Sequence, residues 1–320
     1  MMKPVEKKRW VLLGAVLVVG VWFWAQPSAL GVKQFLKSAL AELQPERDNR
    51  LFAHYDLEAE AAIVIDPDTG KVLFFKDDQE RKAPASTTKM MTALLGLERK
   101  QGNETVEVGA EVLLKEPGES TAGLQPGQEI SWYQLIEALM LPSGNDAART
   151  IAVQIGRQES GDPDMNIDEA MKVFVRLMND RAEELGLRNT HFNNPHGLND
   201  PDHYSSAYDL AIIAQEAMKN KHFRAIVRMT YAEVTPASVG AQGEVSGLVN
   251  RNQLLQKGSE YYYEGATGIK TGFTDEAGYC LVSSAVRDGR HLIAVVLHST
   301  SDKVWKDSHK LLDFGFGQLD

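Results

Sequence analysis

Ser86-Thr87-Thr88-Lys89 sets a hydroxyl and a primary amine three residues apart, and on a helix that spacing puts both on one face. The chemistry this allows is nucleophilic. A serine alcohol is a poor nucleophile at neutral pH, and a lysine serves as its base once burial or nearby positive charge lowers its pKa. The positive end of a helix dipole adds to that field. Taken singly, the pattern also describes a helix cap beside an exposed lysine, and S-x-x-K arises by chance about once in a chain this long.

Two further triplets carry polar chemistry. Ser143-Gly144-Asn145 follows Leu141-Pro142, so a tight loop would expose a hydroxyl able to relay a proton and an amide able to hold a carbonyl; a plain turn with a helix cap fits as well. Lys270-Thr271-Gly272 precedes Phe273-Thr274 in a strand-like run, where the glycine lets a ligand or another backbone come close. A cationic strand bearing a hydroxyl suits a carboxylate, although an ordinary exposed strand lysine would look the same.

These residues need elements to hold them. Residues 61–65 and 71–76 are β-branched and apolar around Asp66-Pro67-Asp68-Thr69-Gly70, which predicts a hairpin. Pro84-Ala85-Ser86 reads as a helix start, and Met90, Leu94 and Leu97 with Met91, Ala93 and Leu95 make the helix apolar nearly all round, hence buried. Helical periodicity recurs at 132–140, 146–155, 167–185 and 206–218. Strand patterns return at 279–285 and 291–297 around Arg287-Asp288-Gly289-Arg290, and a last helix is expected over 301–314. Strands near both ends with helices between predict an α/β fold: one mostly antiparallel sheet built from both chain ends, with a helical lobe inserted over about 102–250.

The 320 residues are 43% hydrophobic and 24% charged, enough for a sizeable core. A net charge of -10 argues against nucleic acid as a partner, since phosphate neutralisation needs clustered Lys and Arg. Lys7, Lys8 and Arg9 precede an uncharged stretch over 10–32, so residues 1–32 are expected to be an export signal or a membrane anchor that leaves the rest outside the cytoplasm. Trp22, Phe23 and Trp24 favour an anchor, while Ala29 and Gly31 would suit a signal peptidase. Residues 33–50 read as a polar linker, and the catalytic domain as 51–320.

In this order, with 57 residues between the first two motifs and 127 between the last two, the chain resembles the penicillin-binding serine D-Ala-D-Ala carboxypeptidases. The low-molecular-mass branch of that family shares the β-lactamase/transpeptidase-like fold. The resemblance runs from about residue 51 to 317 and includes Asn194-Pro195-His196-Gly197-Leu198. It implies that Ser86 forms an acyl-enzyme, Lys89 takes its proton, and Ser143 shuttles a proton while Asn145 orients the peptide. Lys270 and Thr271 would engage the terminal carboxylate beside Gly272, and the backbone N–H groups of Ser86 and Phe273 would form the oxyanion hole. The implied substrate is the peptidoglycan stem peptide, with β-lactams as acylating inhibitors and no metal or cofactor.

Several features limit this picture. The arginine that relatives often place near the last strand is replaced by Trp305, with Lys303 and Lys306 beside it, so the carboxylate anchor stays open. No E-x-x-L-N segment exists to activate a deacylating water as in a β-lactamase. A DD-endopeptidase would use the same residues, and a catalytically silent penicillin-binding scaffold is the reading from another class. His191, His196, His203 and His222 match no common zinc spacing, and Cys280 reads as a core strand residue.

Overall fold

The computed structural model describes residues 56–100, 102–234 and 246–318. The expected signal or anchor, and the linker as far as residue 50, lie outside the described residues.

The chain enters through β1 (Ala61–Ile65) and β2 (Val72–Lys76), an antiparallel hairpin that pairs Ile63 with Phe75. Its turn is tied by Asp66, whose Oδ1 accepts from the backbone N–H of Asp68 at 2.9 Å and of Thr69 at 3.2 Å. A 3-10 turn (Ala85–Thr88) then leads into α1 (Lys89–Arg99). Ser86 therefore sits in the turn ahead of the α-helix rather than within its first α-turn.

The inserted lobe carries β3 (Thr105–Glu107), β4 (Glu129–Ser131), α2 (Trp132–Met140), α3 (Asn145–Ser160), α4 (Ile167–Glu184), α5 (Ala207–Ala217) and α6 (Lys221–Arg228). Ser131 and Gln134 form a capping box at the start of α2, and Asn166 caps α4. Trp132, fully buried, donates its indole N–H to the carbonyl of Gly96 at 3.0 Å, which satisfies its one polar atom.

After β5 (Tyr231–Val234) and β6 (Ser246–Val249), the chain returns to the sheet with β7 (Ala266–Thr274), β8 (Gly278–Arg287) and β9 (Arg290–Ser299), and ends in α7 (Lys303–Gly317). The sheet order is β2-β1-β9-β8-β7, antiparallel throughout, so the strands of both chain ends do form one sheet, and Ala61 pairs with Leu297. This is the expected α/β arrangement.

Alternation decides what covers each face. Ile63, Ile65, Ile293, Val295 and Leu297 join the core formed with α1 and α5. Val64 and Leu292 point the other way, onto α7. There Gly315 allows the close approach, since a methyl group on it would sit 2.7 Å from Leu292 and 2.8 Å from Val64. Both faces of the middle strands are thus covered, and β7 is left as an edge whose outer side borders the 3-10 turn of Ser86.

Candidate active site

Ser86 and Lys89 meet as their spacing predicts: Lys89 Nζ lies within hydrogen-bond distance of Ser86 Oγ, at 2.9 Å. It donates to Asn145 Oδ1 at 2.6 Å and to the carbonyl of His196 at 2.7 Å. The nitrogen therefore has three polar partners, while the side chain is completely buried. Burial first, then the charge of Lys270, pushes the Lys89 pKa well below its usual value, with Arg251 acting in the same direction.

Each partner of Lys89 is fixed by its own contacts. Asn145 opens α3, and its amide nitrogen donates to Glu119 at 3.0 Å. Glu119 in turn accepts from both terminal nitrogens of Arg149 at 2.7 Å. Asp146 ties the wall of the cleft to the same helix start. It accepts from the hydroxyl of Thr121 and from the N–H groups of Ala122 at 2.9 Å, Gly123 at 2.8 Å and Leu124 at 3.0 Å.

The segment bearing His196 is packed against the Ser86 turn. Thr92 donates to the Pro195 carbonyl at 2.6 Å, and Asn194 Oδ1 accepts from the N–H of Gly197 at 2.6 Å. Gly197 has φ +92°, and a Cβ there would overlap the Ala85 carbonyl, so only glycine fits. His203 bridges the two segments: its Nδ1 accepts from the N–H of Asn193 at 3.0 Å, which leaves Nε2 to donate to Thr88 Oγ1 at 2.8 Å. Burial, the largest influence, holds the His203 pKa down at about 4, so the ring is neutral.

Ser143 takes a left-handed conformation, φ 68°, which is uncommon outside glycine. It is buried, lines the cleft, and its hydroxyl has no hydrogen-bond partner among the described residues. Lys270 on β7 is also buried, and burial followed by the charge of Arg251 lowers its pKa to about 7. Gly272, two residues on, allows β7 to run past Ser86, since a methyl group there would lie 3.1 Å from the Ser86 nitrogen and 3.1 Å from Ala85. Phe273 follows with its ring exposed, 4.4 Å from that of Tyr279.

Ser86, Ser143, Asn145, Thr271, Gly272 and Phe273 border one cleft of about 670 Å³. Trp305 lines its far end, buried and stacked on Tyr261, while Lys306 pairs with Asp302 at 2.9 Å. Among the described residues the cation that does line the cleft is Arg251, which the sequence reading missed; its Nη1 donates to Ser120 at 2.7 Å. Cys280 is buried, and desolvation raises its thiol pKa to about 11, as suits a core strand residue. His191 and His222, far from any shared ligand geometry, bond to the Asp202 carbonyl at 2.6 Å and the Tyr133 hydroxyl at 3.2 Å.

The chain is similar to known proteins. A D-alanyl-D-alanine carboxypeptidase family model, peptidase S11, matches residues 47–301. The D-alanyl-D-alanine carboxypeptidase DacF of Bacillus subtilis is 37% identical over 293 residues, covering 89% of this chain and 68% of the relative. The D-alanyl-D-alanine carboxypeptidase of Streptomyces sp. strain K15 is 36% identical over 256 residues, covering 78% of this chain and 84% of the relative. Among solved structures, the Streptomyces K15 DD-transpeptidase superposes with a TM-score of 0.73 at 33% identity, covering 82% of this chain and 98% of that one. A penicillin-binding protein homolog from Mycobacterium tuberculosis gives 0.70 at 32% identity, covering 82% of this chain and 93% of that one. With a family model spanning most of its length and these relatives above 30% identity, the chain belongs to the peptidase S11 family of D-alanyl-D-alanine carboxypeptidases.

Proposed function

We infer that this chain is a serine-type D-Ala-D-Ala carboxypeptidase that removes the terminal D-alanine from peptidoglycan stem peptides and is acylated by β-lactams. The observation that carries the reading is the buried Lys89 amine on Ser86 Oγ, with its pKa held low.

In the first step Ser86 Oγ attacks the carbonyl carbon of the penultimate D-alanine, and its proton passes to neutral Lys89. The tetrahedral oxyanion is held by the backbone N–H groups of Ser86 and Phe273. As the C–N bond breaks, the Ser143 hydroxyl, free for this purpose, relays a proton to the departing D-alanine amine. Water then adds to the ester, Lys89 takes a proton from it, and Ser86 leaves with its hydroxyl restored. Asn145 holds Lys89 and orients the peptide. The substrate lies along the open edge of β7 as an added strand, its carboxylate near Thr271 and Arg251, which border the cleft, and next along the strand to the buried Lys270. Asn145, Gly272 and Phe273 complete the binding wall.

The catalytic domain is taken to start near residue 51 and to act outside the cytoplasm, delivered by the apolar stretch over 10–32 as a cleaved signal or a retained anchor. Among the described residues no helix is long and apolar enough to cross a membrane. The relative described as a DD-transpeptidase supports a second reading, in which an amine rather than water accepts the acyl group.

D-alanine release from an N-acylated Lys-D-Ala-D-Ala peptide by the full chain tests the proposal, with Ser86→Ala as control. Release that disappears in the variant is expected. A folded wild-type chain that releases none would overturn it, and a new product with an added acceptor amine would favour the transpeptidase.

A further inference from the structure

A second groove, of about 620 Å³, opens on the helical lobe and adjoins the Ser86 cleft. The two share Glu116, and they divide consecutive residues, since His196 faces the groove while Gly197 faces the cleft. Along one wall Lys172 and Arg176 stand one turn apart on α4, both exposed. Among the described residues neither has an ion-pair or hydrogen-bond partner. Asp168, one turn earlier, and Glu116 at the junction mark the two acidic ends. Leu114, Val175 and Pro195 give the groove apolar surface, and Leu114 with Leu113 is among the few large hydrophobic side chains left exposed.

The floor is coupled to the chemistry. Arg149 reaches Lys89 through Glu119 and Asn145, and the His196 carbonyl accepts directly from Lys89. A chain segment seated in the groove would thus rest on the groups that hold the base.

Building on the carboxypeptidase reading, we propose that this groove is a substrate subsite for a carboxylate-bearing residue on the N-terminal side of the scissile bond, paired with Lys172 and Arg176. The occupant is the distal part of the same peptide, because the groove adjoins the cleft at Glu116 and at His196-Gly197. Two unpaired cations over apolar surface match a short amphipathic anion. Glu116 at the junction favours a cationic side chain on the residue between the carboxylate and the D-alanines.

The test compares three substrates on the full chain: an N-acylated Lys-D-Ala-D-Ala peptide, the same peptide extended by a γ-linked D-glutamate with a free α-carboxylate, and the extended peptide with that carboxylate amidated. Two exposed pairs predict that kcat/KM for the free carboxylate exceeds that for the amide by roughly three- to tenfold. In the variant with both Lys172→Glu and Arg176→Glu this preference disappears or reverses, while the short peptide is cleaved as before. A wild-type chain with no preference, or a variant that keeps it, overturns the proposal. Should the short peptide not be cleaved at all, the activity reading fails instead. Binding of the two extended peptides to the Ser86→Ala chain then decides on the subsite by the same ratio.

Discussion

Glu119 accepts a hydrogen bond from each terminal nitrogen of Arg149 at 2.7 Å, and the two side chains are only 1% and 4% exposed. A pair this deep contributes little net stability when intact, but half of it is costly. Glu119→Gln should destabilise the fold by about 3–5 kcal/mol, measured by urea unfolding. Adding Arg149→Met should recover most of that loss, and failure to recover would show that Glu119 acts through something other than the ion pair.

Gly197→Ala puts a methyl group into the Ala85 carbonyl at a positive φ. The expected cost is about 1–3 kcal/mol. Acylation by a fluorescent penicillin should slow as well, because the displaced segment carries the His196 carbonyl that holds Lys89. Stopped-flow acylation rates and thermal unfolding on the same variant would read both effects.

Arg251→Gln should change the pH dependence of acylation. Lys89 must be neutral to take the serine proton, so the rate rises as pH passes its pKa. Burial and Lys270 hold that pKa down most strongly, and Arg251 adds to them. Without the guanidinium the acid limb should move to higher pH. A limb that stays in place or moves down would contradict the assigned role of Lys89.

Lys270→Met separates function from stability. The pKa of Lys270 falls from the usual 10.5 to about 7, by burial and then by Arg251, so the folded state disfavours its proton. That penalty is present in full below pH 7 and fades as pH climbs from 7 towards 10.5. The variant should therefore be more stable than wild type at pH 6 by up to about 5 kcal/mol, and the gain should vanish near pH 10. Turnover should drop by about 100-fold or more through loss of carboxylate binding. Paired unfolding curves at the two pH values check the sign.

The spacing of Ser86, Lys89, Ser143, Asn145 and Lys270 carried the outline of the site, and apolar periodicity carried the sheet and most helices. Other parts left no local mark. Glu119 and Arg149 are 30 residues apart, and Arg251 joins the cleft from beyond the helical lobe; no periodicity relates such positions. The α6 helix escaped notice because only Phe223, Ile226 and Val227 of its eight residues are buried, too few for a pattern. The β3–β4 pair is likewise short, three residues a side. Helix ends shifted by several residues, as with α3, which runs on to Ser160 because Gly161 supplies the left-handed stop.

The pairing of Ala61 with Leu297 has a consequence for the life of the chain before it is finished. Ser86 and Lys89 emerge early, yet the His196 carbonyl and Lys270, which bury and tune that lysine, come 107 and 181 residues after it. Until the last strands dock, the amine is an ordinary solvated cation and the serine an ordinary alcohol. On the proposed mechanism an unfinished chain would be chemically silent, and Ser86 would become reactive only with the completed sheet.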